Sequence, residues 1–571
     1  MDEGAPLGVA TTRSMERVAA AVGLLREAPI ECEPVADVPL GGVLCALPAL
    51  LGFGLLRHTR ENFTLPPGFY PIETIFLVVA FLALARIRSL EALRYQAPGE
   101  WGKLLGLDRV PEVKTLREKL GILCADPERA RAWSSTLARD WMEATPESAG
   151  TLYIDGHVRV YHGALTRLPR RYVSRERLCL RGTTDYWVNA MDGQPFFVVT
   201  RPVDDGLLSV LKEEIVPRLQ TEVPGQAGAE ELAADPLQHR FTIVFDREGY
   251  SPKFFAAMRE KRIAVLTYHK FPGADWGLEE FSARSVRLVN AEEVTLQLAE
   301  RGVRLSNGLW VREVRHRDAR GHQSAILSTD YRSDLTRVAA AMFARWCQEN
   351  FFKYMQQHYA IDRLVEYGIE PIPDSTRVVN PAWRSLDSQV RSQQSMLIRE
   401  QARFGALQLP VEATAQETAA YETKKGQLLQ SIESRQLKLA ELKAQRKNAP
   451  KHVLLKDLPQ EDRFTRLAAA RKHLVDTIKL VAYRAETALV AIARESLSRQ
   501  DDARALVRQL LASSVDLQPD LDAKTLNVRL HRLSTATHDA VLVHLCEELT
   551  ATETLFPGTD LRLVFSPLGP V

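Results

Sequence analysis

Between residues 148 and 200, apolar residues recur in short runs broken by Gly, Asp and Pro. TLYID (151–155), VRVYHG (158–163), YWVNAM (186–191) and PFFVVT (195–200) have the composition and spacing of β-strands. A helical pattern follows in LLSVLKEEIVPRLQTEV (207–223), and RFTIVFDREGYSPKFFAAMREKRIAVLTY (240–268) then reads as strand, loop, helix, strand. That alternation builds α/β layers. ARSVRLV (283–289), VTLQLA (294–299), LWVREVRH (309–316) and QSAILST (323–329) are again strand-like, and one long helix is predicted from about Leu335 to Tyr359.

The flanks differ. Residues 1–147 carry helical spacing, with two strongly apolar stretches at 38–56 and 74–85. The first is 19 residues without a charge, long enough to cross a bilayer. It contains Pro39, Pro48 and four glycines, and the second stretch is too short to span, so both are expected to be buried helices and no membrane contact is expected. Residues 100–123 have the look of a helix–turn–helix whose second helix, opening at Pro111, shows Lys114, Thr115, Arg117 and Lys119; the alternative is a helical hairpin with solvated charges. Beyond Pro373 the chain is helical and polar. Leu428, Ile432, Leu439 and Leu442 there fit a short coiled coil or a solvated helical hairpin. Residues 501–571 read as a small α+β unit. The expected layout is therefore 1–147 helical, 148–372 α/β with a β-rich insertion over about 262–330, 373–500 helical, and 501–571 α+β.

Composition narrows the function class only slightly. The 571 residues are 45% hydrophobic and 26% charged, ordinary for a soluble globular protein. With 74 basic and 72 acidic residues the net charge is +2, so any contact with nucleic acid must come from local patches. Six scattered cysteines without zinc-ligand spacing imply a reducing compartment and no structural zinc. No basic segment followed by an apolar core opens the chain, so no signal peptide is read.

Three acids change the picture. In SAGTLYIDGHVRVYHG (148–163) an apolar strand runs into Asp155, and Asp-Gly is a favoured hairpin turn, so the chain is expected to turn back there. RFTIVFD likewise ends an apolar strand on Asp246, where a helix cap is the ordinary explanation. Glu349 lies on the long helix among Trp346, Phe351, Phe352 and Tyr354, aromatics that suggest a helix packed on most sides. Arg345, Glu349 and Lys353 share one face, either as a salt-bridge ladder or as a ligand flanked by cations. Three carboxylates brought together repel one another. Two hard divalent cations, Mg2+ or Mn2+, relieve that repulsion and suit phosphodiester displacement. Beside Asp155, seven arginines (Arg159, Arg167, Arg170, Arg171, Arg175, Arg177 and Arg181) stand against one acid, Glu176. Such a stretch is a solvated loop or a phosphate-binding patch.

In this order, LYIDGHVRVYHG, VFDREGYS and ARWCQENFFKYM resemble the two strands and the catalytic helix of the ribonuclease-H-like DDE transposases of bacterial insertion sequences. The helix is similar to the branch whose signature is Tyr, two residues, Arg, three residues, Glu, six residues, Lys. Arg345 and Glu349 match; Met342 and Gln356 stand at the Tyr and Lys positions, with Lys353 one turn earlier than the expected lysine. The resemblance implies a ribonuclease-H-like mixed sheet with flanking helices, and catalytic and metal-binding roles for Asp155, Asp246 and Glu349. It also implies DNA contacts by Arg345, Lys353 and the arginines that follow His157, and recognition of element ends by the N-terminal helices. Cleavage at element ends, 3′-hydroxyl transfer into target DNA, a homodimer on DNA and a cytoplasmic, nucleoid-associated location in a bacterium follow from it. The 103 residues between Asp246 and Glu349 suit the β-rich insertion of this branch. In some relatives a tryptophan of that insertion stacks on a flipped base. Trp276 and Trp310 are the candidates, and a core position is the expectation for each. The competing readings are a metal-dependent nuclease that cuts without joining and an inactive, transposase-derived DNA-binding protein.

Overall fold

The structure is a computed structural model. It describes residues 12–569 except 164–167, 169, 174–177, 202–205, 364, 366–368, 410–413, 461–462, 464, 498 and 534. The chain divides into two compact units, one of residues 1–161, 171–368 and 467–571, the other of 162–170 and 369–466.

A ten-stranded mixed sheet organises the first unit. Strand β1 (Val35–Val38) belongs to a separate four-stranded sheet with the C-terminal strands Val515–Asp520, Thr525–Leu530 and Arg562–Pro567. The large sheet comprises β2 (Thr151–Val160), β3 (Arg170–Val173), β4 (Leu178–Asn189), β5 (Pro195–Arg201), β6 (Thr242–Phe245), β7 (Ala264–Tyr268), β8 (Ser282–Arg287), β9 (Glu293–Arg304), β10 (Trp310–Arg317) and β11 (Gln323–Ser328). Its order is β3-β4-β2-β6-β7-β11-β10-β9-β8, with β5 also on β4. Strands β2, β6 and β7 are parallel; β4 runs antiparallel to β2, and β11 antiparallel to β7.

The expected hairpin at Asp155-Gly156 is absent. Strand β2 continues through both residues, pairing Asp155 with Trp187 and Gly156 with Tyr186 on β4. Gly156 serves close approach rather than a turn: a Cβ there would meet the Tyr186 ring at 3.0 Å. The long helix predicted over 335–359 is also interrupted. Leu335–Phe343 and Arg345–Tyr354 are separated at Ala344, where Cys347 N–H bonds the Ala344 carbonyl at 2.9 Å in a tighter turn.

The apolar stretch 74–85 lies within a helix, Ile72–Leu84, buried from Thr74 onward, as an all-round apolar helix should be. Among the described residues no helix is long and apolar enough to cross a membrane. This helix packs against Ala470–Glu495, which also contacts Leu47–Gly52, Pro127–Ala144 and β5. The helix Ala470–Glu495 is buried along most of its length although it carries Lys472, Asp476, Lys479, Arg484 and Glu486. Charges are buried only when paired. Lys472 pairs with Asp476. Arg484 Nε donates to the Pro195 carbonyl at 2.9 Å, with the guanidinium 4.3 Å from the Trp141 ring centre. Glu486, 0% exposed, accepts from Arg86 Nη2 at 2.6 Å and from the Tyr354 and Tyr359 hydroxyls at 2.5 Å each. Burial pushes its carboxyl up, but Arg86 and Arg504 hold it below its ordinary value.

In the second unit, helices Pro381–Gly405 and Ala415–Asn448 pack through Val390, Leu397, Ile432, Leu439 and Leu442. Arg446–Asp387 (2.6 Å) and Arg435–Glu400 (2.7 Å) flank that seam. Strands Arg377–Val379 and His452–Leu454 pair antiparallel.

Glu486 carries the sharpest stability prediction. Glu486→Gln keeps the shape but leaves the Arg86 charge without its counter-ion, and breaking a buried pair in this way costs about 3–5 kcal/mol. Urea denaturation of the full chain should show a loss of that order. Arg60→Gln, at an exposed ion pair with Glu73, should move stability by less than about 1 kcal/mol.

Candidate active site

The candidate site follows from the two-residue period of a strand. Tyr153 on β2, Val244 on β6 and Leu266 on β7 face one side of the sheet and form a buried cluster with Val338, Ala341 and Met342 of the helix above. Two residues further along each strand stand Asp155, Asp246 and Tyr268. The register fixes their alignment: Ile154 pairs with Phe245, and Phe245 with Thr267. Asp155, midway along β2, therefore sits side by side with Asp246 and Tyr268, where the parallel strands β6 and β7 end, on the face the helices cover.

Two anchors position the pair of helices that leads to the third acid. The Tyr153 hydroxyl donates to the Ala341 carbonyl, in Leu335–Phe343, at 2.6 Å. The buried Gln348 amide donates to the Tyr153 carbonyl (3.1 Å), the Trp187 carbonyl (3.2 Å) and Asn189 Oδ1 (2.9 Å). Phe351 and Phe352 pack on Trp187, and His157 stacks on Phe352 with ring centres 5.6 Å apart. With this face held, Arg345 and Glu349 are presented at the strand ends.

Arg345 is the hub. Its Nη1 lies 3.0 Å from Asp246 Oδ1, and its Nη2 3.2 Å from Glu349 Oε1. The guanidinium side chain is 12% exposed, whereas Asp246 and Glu349 are 48% and 49% exposed. Burial opposes the Arg345 charge, but Asp155, Asp246 and Glu349 together raise its pKa above the ordinary arginine value. Asp155 is half-buried and accepts from the Gly156 N–H at 2.8 Å. Burial pushes its carboxyl up to about 6; Arg345 and the Gly156 N–H pull it down, while Asp246 and Glu248 add to the rise. The three sequence-predicted acids are thus gathered about one cation. Asp246 precedes the short turn Arg247–Gly249, but its carboxyl makes no capping hydrogen bond; the helix Pro252–Glu260 is capped by Ser251, its hydroxyl accepting from Phe254 N–H at 3.3 Å.

The three carboxylates fit a hard divalent ion in kind. Their present placement does not form a metal cage: among the described residues, no group of three or more His, Cys, Asp or Glu side chains is arranged to hold a metal ion. The guanidinium of Arg345 is the cation they share.

The other predicted residues are dispersed. Lys353 is exposed on the same helix as Glu349. Arg167, Arg175 and Arg177 lie outside the described residues, and Arg170 and Arg171 are described only in their backbone, as part of β3. Arg159, counted in the basic stretch, is buried and paired with Asp185 (Nη2–Oδ1 2.9 Å), so it faces the interior and not a phosphate. Lys114 is exposed, whereas Arg117 is tied to Glu91. Gln356, at the position where a lysine was expected, has its amide nitrogen 3.2 Å from a His157 ring nitrogen. Trp276 is buried with Arg301 and Arg315 against its ring (4.6 and 4.3 Å), as expected of a core residue. Trp310 departs from that expectation. It is 53% exposed, and its ring covers Gly302, where a Cβ would meet it at 2.8 Å. Trp346 is likewise exposed, so the helix is packed on the Phe351–Phe352 side only.

Sequence reasoning missed Tyr268, Gln348 and Glu248. Tyr268 closes an apolar strand as Asp246 follows one, and its ring centre lies 5.9 Å from the Arg345 guanidinium. Burial raises its pKa, with Arg345 lowering it and Asp246 and Glu349 adding to the rise. A glutamine three residues after Arg345 carries no signal of its own until the partner carbonyls are known.

The Asp155 shift has a measurable consequence. A carboxyl with a raised folded-state pKa contributes stability below its unfolded value, near 3.8, and loses it as pH rises through about 6. Above pH 6 the ionised, desolvated group costs on the order of 2–3 kcal/mol. Asp155→Asn should therefore make the metal-free protein more stable at pH 7.5, with the gain shrinking towards pH 4. Urea denaturation at the two pH values in a chelator checks this, and an equal effect at both would contradict it.

Comparison with known proteins bears on what such a cluster serves. Among curated proteins, none matches the chain. A family model described as "Transposase protein" matches residues 8–568, nearly the whole length. The gathered acids thus lie in a chain that belongs to this transposase family.

Proposed function

We propose that the chain is a transposase of the ribonuclease-H-like, three-carboxylate kind, cleaving DNA at element ends and then joining the freed 3′-hydroxyl to target DNA. The observation that carries this reading is the meeting of Asp155, Asp246 and Glu349, from two parallel strands and a helix, around Arg345. Membership of the transposase family supports action on DNA. The mixed sheet, with one acid on its central strand β2 and the next on its parallel neighbour β6, supports the fold assignment.

In this reading the three carboxylates hold two Mg2+ or Mn2+ ions. Such ions, when bound, lower the pKa of the attacking water or 3′-hydroxyl and stabilise the departing oxygen. The chain's own residues do the positioning. The Gly156 N–H orients the Asp155 carboxyl, and above pH 6 that carboxyl is ionised and available as a ligand. Gln348 holds the helix so that Glu349 faces the strands, and Tyr153 ties down the helix before it. Lys353 and, in the basic stretch apart from the buried Arg159, Arg167, Arg170, Arg171, Arg175 and Arg177 supply charge for the DNA backbone, whose phosphates match guanidinium forks. Trp310, with an exposed indole, offers a stacking surface to an unpaired base. Lys114, exposed near the N-terminus of the helix Val113–Leu123, is placed for end recognition. Paired ends call for a homodimer on DNA.

The test separates cutting from joining. With oligonucleotides carrying element ends and Mg2+, Asp155→Asn, Asp246→Asn and Glu349→Gln should each reduce cleavage by at least about a hundredfold. Pre-cut ends should be joined to target DNA by the unaltered protein. Nicking without joining would favour a nuclease, and wild-type cleavage by all three variants would remove these acids from the reaction.

A further inference from the structure

The acids of the site gather about the guanidinium of Arg345, which contacts Asp246 and Glu349. Arg345 lies inside, at 12% exposure, while both of its carboxylate partners are about half exposed on their outer sides. An incoming cation can therefore reach Asp246 and Glu349 from solvent without first unfolding the helix. Nη2 donates to Glu349 at 3.2 Å, and Nη1, buried, forms an ion pair with Asp246 at 3.0 Å. Arginine keeps its proton throughout the accessible pH range, so its charge leaves the cluster only by movement.

We propose that Arg345 is a resident counter-ion: in the metal-free protein its guanidinium occupies the place of a divalent cation among Asp155, Asp246 and Glu349, and metal entry displaces it. This inference rests on the three-carboxylate reading above. Its physical basis is repulsion. Asp155, Asp246 and Glu349, with Glu248 close by, would push one another apart in an ion-free site. A tethered cation keeps them assembled before any ion arrives. The same cation competes with the ion, because a guanidinium and a divalent metal cannot share the same lone pairs at contact distance. Displacement swings Arg345 outward along the helix face it shares with Lys353, where its charge becomes available to a DNA phosphate. Arg345 is thus a positioning residue whose two states belong to the metal-free and metal-loaded protein.

Mn2+ affinity of the DNA-free full chain, read by titration calorimetry or by the electron-spin signal of free Mn2+, tests the proposal. A single charge at contact range is worth one to three log units in the affinity of a carboxylate for a cation such as the proton. Arg345→Gln should therefore bind Mn2+ about tenfold or more tightly, while its metal-free melting temperature falls and its rise on adding Mn2+ exceeds that of the unaltered protein. Arg345→Lys, which retains the charge on a folded side chain, should keep the weaker affinity. Unchanged or weaker Mn2+ binding by Arg345→Gln would overturn the counter-ion role, since a residue that merely braces the fold has no reason to oppose the metal. Failure of the underlying reading looks different: Asp246→Asn and Asp155→Asn would then bind Mn2+ as the unaltered protein does.

Discussion

The candidate site depends on the pleat of three parallel strands. Tyr153, Val244 and Leu266 must face the helix Leu335–Phe343 to bury their side chains, and a strand changes face with every residue. Once those three are inward, Asp155, Asp246 and Tyr268 are committed to the same face two residues on, just beyond the covered region. A one-residue slip in β6 would send Asp246 to the opposite face, among Leu152, Ile154, Ile243 and Phe245. The packing that stabilises the sheet and the placement of the acids are therefore one constraint. The buried amide of Gln348 extends it to the third acid by fixing the helix against β2 and β4.

Two buried electrostatic clusters in the same unit show the difference between structural and functional charge. Glu486 is enclosed by Arg86, Tyr354 and Tyr359, and every contact favours the ionised form strongly enough to outweigh burial. It locks the central helix Ala470–Glu495 to the segment that follows the carboxylate helix. Asp155 has the reverse balance. Its burial outweighs its one backbone donor and the nearby guanidinium, so its charge is disfavoured in the folded protein. A fold that satisfies one carboxylate completely and leaves another short of partners, on a central strand and beside half-exposed acids, has concentrated its electrostatic cost where a cation can relieve it.

Much of the local structure was legible in the chain because it is set by near neighbours. Strand periodicity from Leu152 to Phe245, the helix opening at Pro252 and the β-rich run after residue 280 all follow from composition and spacing. Misreadings arose where a local preference met a distant partner. Asp155-Gly156 favours a turn in isolation, but β4 pairs across it and Tyr186 fills the space above Gly156. Arg159 looked like part of a phosphate-binding stretch, but it is buried against Asp185, 26 residues away. The helix Ala470–Glu495 looked like part of a polar helical segment because the partners of its charges, such as Arg86, come from hundreds of residues earlier.

By itself the sequence determined that two apolar strand runs are each followed by an aspartate and that a helix carries arginine and glutamate one turn apart, since i and i+4 neighbours on a helix follow from its pitch alone. Only the tertiary structure decided that these three acids meet, that Tyr268 and Gln348 belong with them, and that Arg345 turns inward to Asp246 instead of outward to solvent. The reason is range. Helical pitch and strand alternation act over a few residues, whereas the repulsion among carboxylates and its relief by one guanidinium arise only after residues 155, 246 and 345–349 have been brought within a few ångströms by strand register and helix docking.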